Sequence, residues 1–243
     1  MKLRVINPNT TQAMTDTIGQ AARRVAGPGT LIVASQPASG PVSIESHFDE
    51  AVAAIGVAEE VLAGEREGTD AYVIACFGDP GLWSARELTR APVIGIAEAA
   101  FHMAALIATR FSVVTTLGRT CVIAEHLLAQ YGFEHQCRRV RAAEIPVLDL
   151  EHDPDASLRR IIEESLRAKQ EDGVGAIVLG CGGMADLTDE ISRAVGLPVV
   201  EGVTAAVKLA ESLVHLGLHT SKHGDLDFPR PKAFAGRFSH FSA

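Results

Sequence analysis

Short runs of β-branched and aliphatic residues recur along the chain at 3–6, 30–34, 72–75, 93–96, 112–115, 176–179 and 199–200. They are apolar at consecutive positions, the pattern of strands covered on both faces. Between them, apolar positions fall at helical spacing. A helix is expected over 10–25, with Thr10 and Thr11 available as N-caps. Over 47–63, Phe48, Ala51, Val52, Ile55 and Ala58 share one face. Over 155–172, Leu158, Ile161, Ile162 and Leu166 do the same, and Gly173 marks the stop. Strands alternating with helices predict an α/β fold with a mainly parallel sheet.

The pattern also repeats. Ala71-Tyr72-Val73-Ile74-Ala75-Cys76 matches Ala176-Ile177-Val178-Leu179-Gly180-Cys181 at an offset of 105. Pro92-Val93-Ile94 with Ala99-Ala100 matches Pro198-Val199-Val200 with Ala205-Ala206 at an offset of 106. Val5-Ile6 leading to Asn9-Thr10 has its counterpart in Val113-Val114 leading to Thr115-Thr116. Three matches in one order predict two pseudo-symmetric, Rossmann-like parallel-sheet units. Their expected bounds are 1–97 with 217–243, and 98–216. Ligands of open α/β sheets bind beyond the carboxyl ends of the strands, which puts the site in the cleft between the units.

Composition narrows the function. A chain of 243 residues that is 47% hydrophobic can bury a core without metal or disulfide staples. A net charge of −8 opposes a nucleic-acid surface, which needs clustered Lys and Arg. An aromatic content of 5% opposes a platform for stacking bases. No run of eighteen apolar residues predicts a membrane span, and the start Met1–Asn9 holds no signal core. Four cysteines without a CxxC pair read as reduced thiols of the cytoplasm. His215, His219 and His223 stand four apart, but Gly217 and Gly224 interrupt them, so they read as a solvated helix end and not as metal ligands. His102 reads as a core histidine, Cys121 as an early residue of an apolar helix, and Cys137 as part of a polar connection. Asp49 and Glu98 read as helix-start charges. No metal or organic cofactor is expected.

The chemistry rests on Cys76 and Cys181. Each directly follows a strand and precedes a glycine-containing turn, Phe77-Gly78-Asp79-Pro80-Gly81 in one unit and Gly182-Gly183-Met184 in the other. On opposite sides of a cleft, one thiolate removes a proton from a carbon while the other thiol delivers one to the opposite face, inverting the centre. A free thiol of pKa about 8.5 is only a few per cent ionised at neutral pH. Helix N-termini and turn amides are expected to lower that value, and the same amides can meet a developing enolate oxygen. Near-attack geometry puts the sulfurs roughly 6–8 Å apart and unbonded.

At these positions the chain resembles the aspartate/glutamate/hydantoin racemase superfamily, cofactor-independent enzymes with two cysteines. The matching segments are Val5–Thr10, Ser43-Ile44-Glu45 with Phe48-Asp49-Glu50-Ala51, Ala75–Gly81, Gly95–Ala100 and Val178–Met184. The C-F-G-D-P-G and L-G-C-G-G-M pair is similar to the hydantoin branch; Gly182-Gly183 and the ending Thr220–Leu226 are similar to its allantoin racemases. The resemblance implies that Cys76 and Cys181 are the acid/base pair. It implies a ureide ring held by Asn9, Ile44, Gly78, Thr115, Thr116, Gly182 and Gly183, and a homo-oligomer. Asn9 and the threonines suit ring N–H and carbonyl groups, and Ile44 suits an apolar wall. The expected activity is racemisation of allantoin at C5. Racemisation of other 5-substituted hydantoins is the alternative, and a two-lobed ligand-binding protein is the non-enzymatic one. The partner is then a small ureide or hydantoin, with no nucleic acid or membrane involved.

Overall fold

Eight short parallel strands form two sheets in the computed structural model, which describes residues 1–242. The first half of the chain runs β1 (Lys2–Ile6), α1 (Gln12–Val25), β2 (Leu31–Ser35), α2 (His47–Arg66), β3 (Ala71–Ile74), α3 (Leu82–Leu88), β4 (Val93–Gly95) and α4 (Ile96–Ile107). The second half runs β5 (Phe111–Thr115), α5 (Cys121–Tyr131), β6 (Cys137–Ala142), α6 (Asp149–His152), α7 (Pro154–Arg167), β7 (Ala176–Leu179), α8 (Thr188–Val195), β8 (Val199–Glu201) and α9 (Gly202–His215). The sheet orders, β2-β1-β3-β4 and β6-β5-β7-β8, are the same topology twice. The repeat extends to single hydrogen bonds. Ala75 N–H donates to the Ile6 carbonyl and Gly180 N–H to the Val114 carbonyl, both at 2.8 Å, with donors 105 and acceptors 108 positions apart.

Parallel strands need cover on both faces, and the two units share it. Helix α4 leaves the first sheet to pack on β7 and β8, while α9 leaves the second to pack on β3, β4 and α1. One apolar core therefore runs through both units. Leu3, Val5 and Val73 join Phe101 of α4, Val203 and Val207 of α9, and Val113 and Val178 of the second sheet. The two helices start against each other. A Cβ on Gly202 would lie 2.6 Å from Ile96 Cβ and 2.8 Å from its carbonyl carbon, so only glycine allows this approach.

Several expectations change. Cys137 does not lie in a connection: it begins β6, an edge strand hidden in the sequence by its arginines. Arg141 on β6 is 7% exposed. It is held by Asp172 at 2.6 and 2.7 Å, Glu171 at 2.7 Å and Glu164 at 2.9 Å. The helix expected to 172 ends as α at Arg167, and Ala168–Asp172 widen into a π-turn that brings Glu171 and Asp172 to that guanidinium. Thr11 occupies the N-cap of α1 without capping it. Its hydroxyl instead donates to the Val42 carbonyl at 2.7 Å, and Asn9 Oδ1 accepts from its N–H at 2.9 Å. His102 is exposed, not in the core, with its ring edge-on to Phe133 at 4.8 Å. Helix α9 ends at His215, so the three spaced histidines do not line one helix face. The C-terminal stretch lies on its own chain, where Lys222 Nζ donates to the Arg86 carbonyl at 2.6 Å and His240 meets Glu59 at 2.9 Å.

Candidate active site

The carboxyl ends of β3 and β7 carry the two cysteines. After each the chain turns back in the same way. Asp79 N–H donates to the Cys76 carbonyl at 3.0 Å, and Met184 N–H to the Cys181 carbonyl at 3.2 Å. Within each turn a backbone amide is directed at sulfur, that of Gly78 at Cys76 and that of Gly183 at Cys181. Both cysteines line one cavity of about 570 Å³, counting its mouth. All four cysteines are free, and Cys121 and Cys137 lie outside this wall.

The wall also contains Asn9, Ile44, Gly78, Thr115, Thr116 and Gly182. Gly183 lies behind it: a Cβ there would point at Leu150, and its amide serves the Cys181 sulfur. Asn9 is held in place through Oδ1, which accepts from Asn7 Nδ2 at 2.8 Å and from Thr11 N–H at 2.9 Å. The threonines differ. Thr115 hydroxyl is engaged by the Gly180 carbonyl at 3.1 Å, whereas Thr116 makes no side-chain hydrogen bond among the described residues. Ile44 sits on a strap across the cleft. The strap is tied to the first unit by Thr10 N–H to the Pro41 carbonyl at 3.0 Å, and to the second by Val147 N–H to Glu45 Oε1 at 2.9 Å. Gly182 is where the units touch, since a Cβ there would fall 2.6 Å from the Ala75 carbonyl oxygen.

Electrostatics correct one expectation. The turn amides do favour thiolate, but the net direction is opposite. Burial pushes the Cys181 thiol up to about 11. It pushes Cys76 higher still, with Cys181, Glu50 and Asp79 adding negative potential. Desolvation of the anion outweighs a single amide hydrogen bond at each sulfur.

Two carboxylates beside Cys76 had no assigned role in the sequence. Asp79, at φ 45°, is buried and accepts from Ala97 N–H, Glu98 N–H and Tyr131 hydroxyl, each at 3.0 Å. It thereby ties the Cys76 turn to the start of α4, and burial pushes its carboxyl up to about 7. Gly95 is required there because the Asp79 carboxylate occupies the volume of a Cβ. Glu50, on the first turn of α2, fills the equivalent volume at Gly78. Burial raises its carboxyl above the ordinary range. Glycines 78 and 95 were the available signal, since each marks where a distant side chain arrives. Among the described residues no group of three or more His, Cys, Asp or Glu side chains could hold a metal, and no helix is long and apolar enough to cross a membrane.

Residues 3–210 match the family profile described as Asp/Glu/Hydantoin racemase. The chain is 50% identical to a hydantoin racemase of Rhizobium meliloti over 236 residues, covering 97% of this chain and 98% of that protein. The solved structure of an allantoin racemase from Klebsiella pneumoniae superposes with a TM-score of 0.98 at 57% identity, covering 100% of this chain and 99% of that one. An allantoin racemase from Pseudomonas fluorescens gives 0.94 at 44% identity, covering 97% and 100%.

Proposed function

The chain belongs to the Asp/Glu/hydantoin racemase family, and on that premise we propose that it interconverts (R)- and (S)-allantoin by proton exchange at C5 between Cys76 and Cys181. The observation that carries this reading is the convergence of two unbonded thiols, from corresponding strand ends, on one cavity. In this reading each unit, 1–97 with 217–243 and 98–216, contributes one acid/base group. One cysteine acts as thiolate and takes the C5 proton, becoming a thiol. The electron pair moves into the adjacent ring carbonyl as an enolate, which turn amides and the Thr116 hydroxyl are suited to meet. The opposite thiol gives its proton to the other face of C5 and becomes the thiolate. Charge and protons balance, and the enzyme is left ready for the reverse direction. Asn9 and Thr116 hold ring N–H and carbonyl groups, Gly182 lets the second turn approach, and Ile44 closes the cavity.

Hydantoin-type substrates follow from the relatives at 43–50% identity. Allantoin in particular is favoured by the structural relatives that carry that name. The test is loss of optical rotation from each pure enantiomer of allantoin, compared with 5-methyl- and 5-isopropylhydantoin. A higher kcat/KM on the alkyl hydantoins than on allantoin would assign the chain to those instead. Deuterium exchange at C5 that persists in a Cys76→Ser, Cys181→Ser double variant would remove thiol chemistry altogether.

A further inference from the structure

The cavity wall holds one carboxylate, Glu50, among neutral side chains and the two thiols. Its neighbours in charge all have donors. Glu45 accepts from Val147 N–H at 2.9 Å, and Asp79 from three groups at 3.0 Å. Among the described residues Glu50 accepts from no backbone N–H; its one partner is the exposed His47, whose Nδ1 stands 3.5 Å from Oε2 and pulls the carboxyl down against its burial. The Glu50 side chain is nonetheless only 18% exposed and lies against Gly78, in the turn that carries Cys76. A carboxylate on the cavity wall, paired only with one exposed imidazole, keeps acceptor capacity for N–H groups of a ligand. Its place beside Cys76 puts it next to whatever substituent the reacting carbon bears.

We propose that Glu50 is the specificity-determining residue of this site, accepting N–H groups from a ureido substituent on the reacting carbon and turning away substituents that carry negative charge. The inference rests on the racemase reading above and extends it to substrate choice. A ureido group, –NH–CO–NH₂, presents N–H donors one bond beyond C5. A carboxylate takes two parallel N–H bonds in a fork, as it does from guanidinium. An alkyl substituent offers no donor, and an acidic one meets a like charge. The same carboxylate adds to the negative potential at Cys76, so this selectivity comes with a less readily ionised thiol.

The experiment measures kcat/KM for racemisation of three substrates, allantoin, 5-isopropylhydantoin and hydantoin-5-acetate, by wild type, Glu50→Gln and Glu50→Ala. Relative to isopropylhydantoin within the same variant, allantoin is expected to fall about tenfold or more and hydantoin-5-acetate to rise about tenfold, as for a hydrogen bond to a charged group. Ratios within one variant cancel any loss of folded enzyme and any change in Cys76, since both scale all substrates together. Equal changes on all three substrates, or unchanged ratios, overturn the assignment. If wild type ignores allantoin but turns over isopropylhydantoin, the allantoin reading fails while the acetate-to-isopropyl ratio still decides the role of Glu50. No turnover of any of the three would remove both.

Discussion

A buried thiol is a poor base until its anion is compensated, and at both cysteines desolvation exceeds the help of the turn amides. With Cys181 near 11 and Cys76 above it, the ionised fraction grows roughly tenfold per pH unit below those values. Racemisation kcat/KM is therefore expected to rise from about pH 7 to about pH 10, as followed by polarimetry. A flat profile over that range would mean that a thiolate is already formed at neutral pH. The stability sign is the reverse. These pKa values are raised on folding, so the contribution of the protonated thiols is full below about pH 8.5, the ordinary thiol value, and is lost as pH rises through the folded value. Replacing either cysteine by serine is expected to abolish racemisation, by about a thousandfold or more, because serine is a far weaker acid and base at the same position. Exchange of the C5 proton with solvent from the intact side is expected to survive, measured by deuterium incorporation without loss of rotation. Full racemisation by either single variant would sink the two-base assignment. At this scale the cysteines were legible because the repeat marked them twice. Glu50 and Asp79 were not, since their carboxylates gain meaning only from the backbone they press against.

Helices α4 and α9 begin at equivalent points of the two units, yet are capped differently. Glu201, at the end of β8, accepts from Val203 N–H at 2.7 Å and Thr204 N–H at 2.6 Å. The equivalent place before α4 is Gly95, and the acceptor comes from the Cys76 turn as Asp79. Asp79→Ala leaves two amides and the Tyr131 hydroxyl without an acceptor, so a loss of about 2–3 kcal/mol is expected in urea denaturation. Its racemase activity should fall as well, because the Cys76 turn loses its tie to α4. A change within about 0.5 kcal/mol would mean that water replaces the cap without cost. On β6, Arg141→Met strands Asp172, whose side chain is 5% exposed. A cost of about 3 kcal/mol is expected in the same measurement. Element type was readable where apolar residues ran together, as in β1, β3 and β7. Strand β6 was not readable, because its inward arginine is compensated by carboxylates some 30 residues away in sequence.

The exchange of α4 and α9 runs the largest apolar cluster through both sheets, beside a smaller one in each unit, so unfolding is expected as a single transition, with fluorescence and circular dichroism coinciding. Two separated transitions would mean that each unit holds its own helices. Gly202→Ala drives a methyl group into the backbone of Ile96, where the units meet, and is expected to cost about 1–3 kcal/mol by thermal or urea denaturation. Because the cleft lies at the same junction, kcat should fall more than stability alone explains.

The amino-acid sequence by itself determined the α/β class, the twofold repeat and the two cysteines placed after matching strands, because strand periodicity and glycine turns are local properties. Only the tertiary structure decided which way the thiols titrate, which helix covers which sheet and where Glu50 and Asp79 point. Those depend on desolvation and on close approach between residues far apart in the chain, which no local pattern encodes.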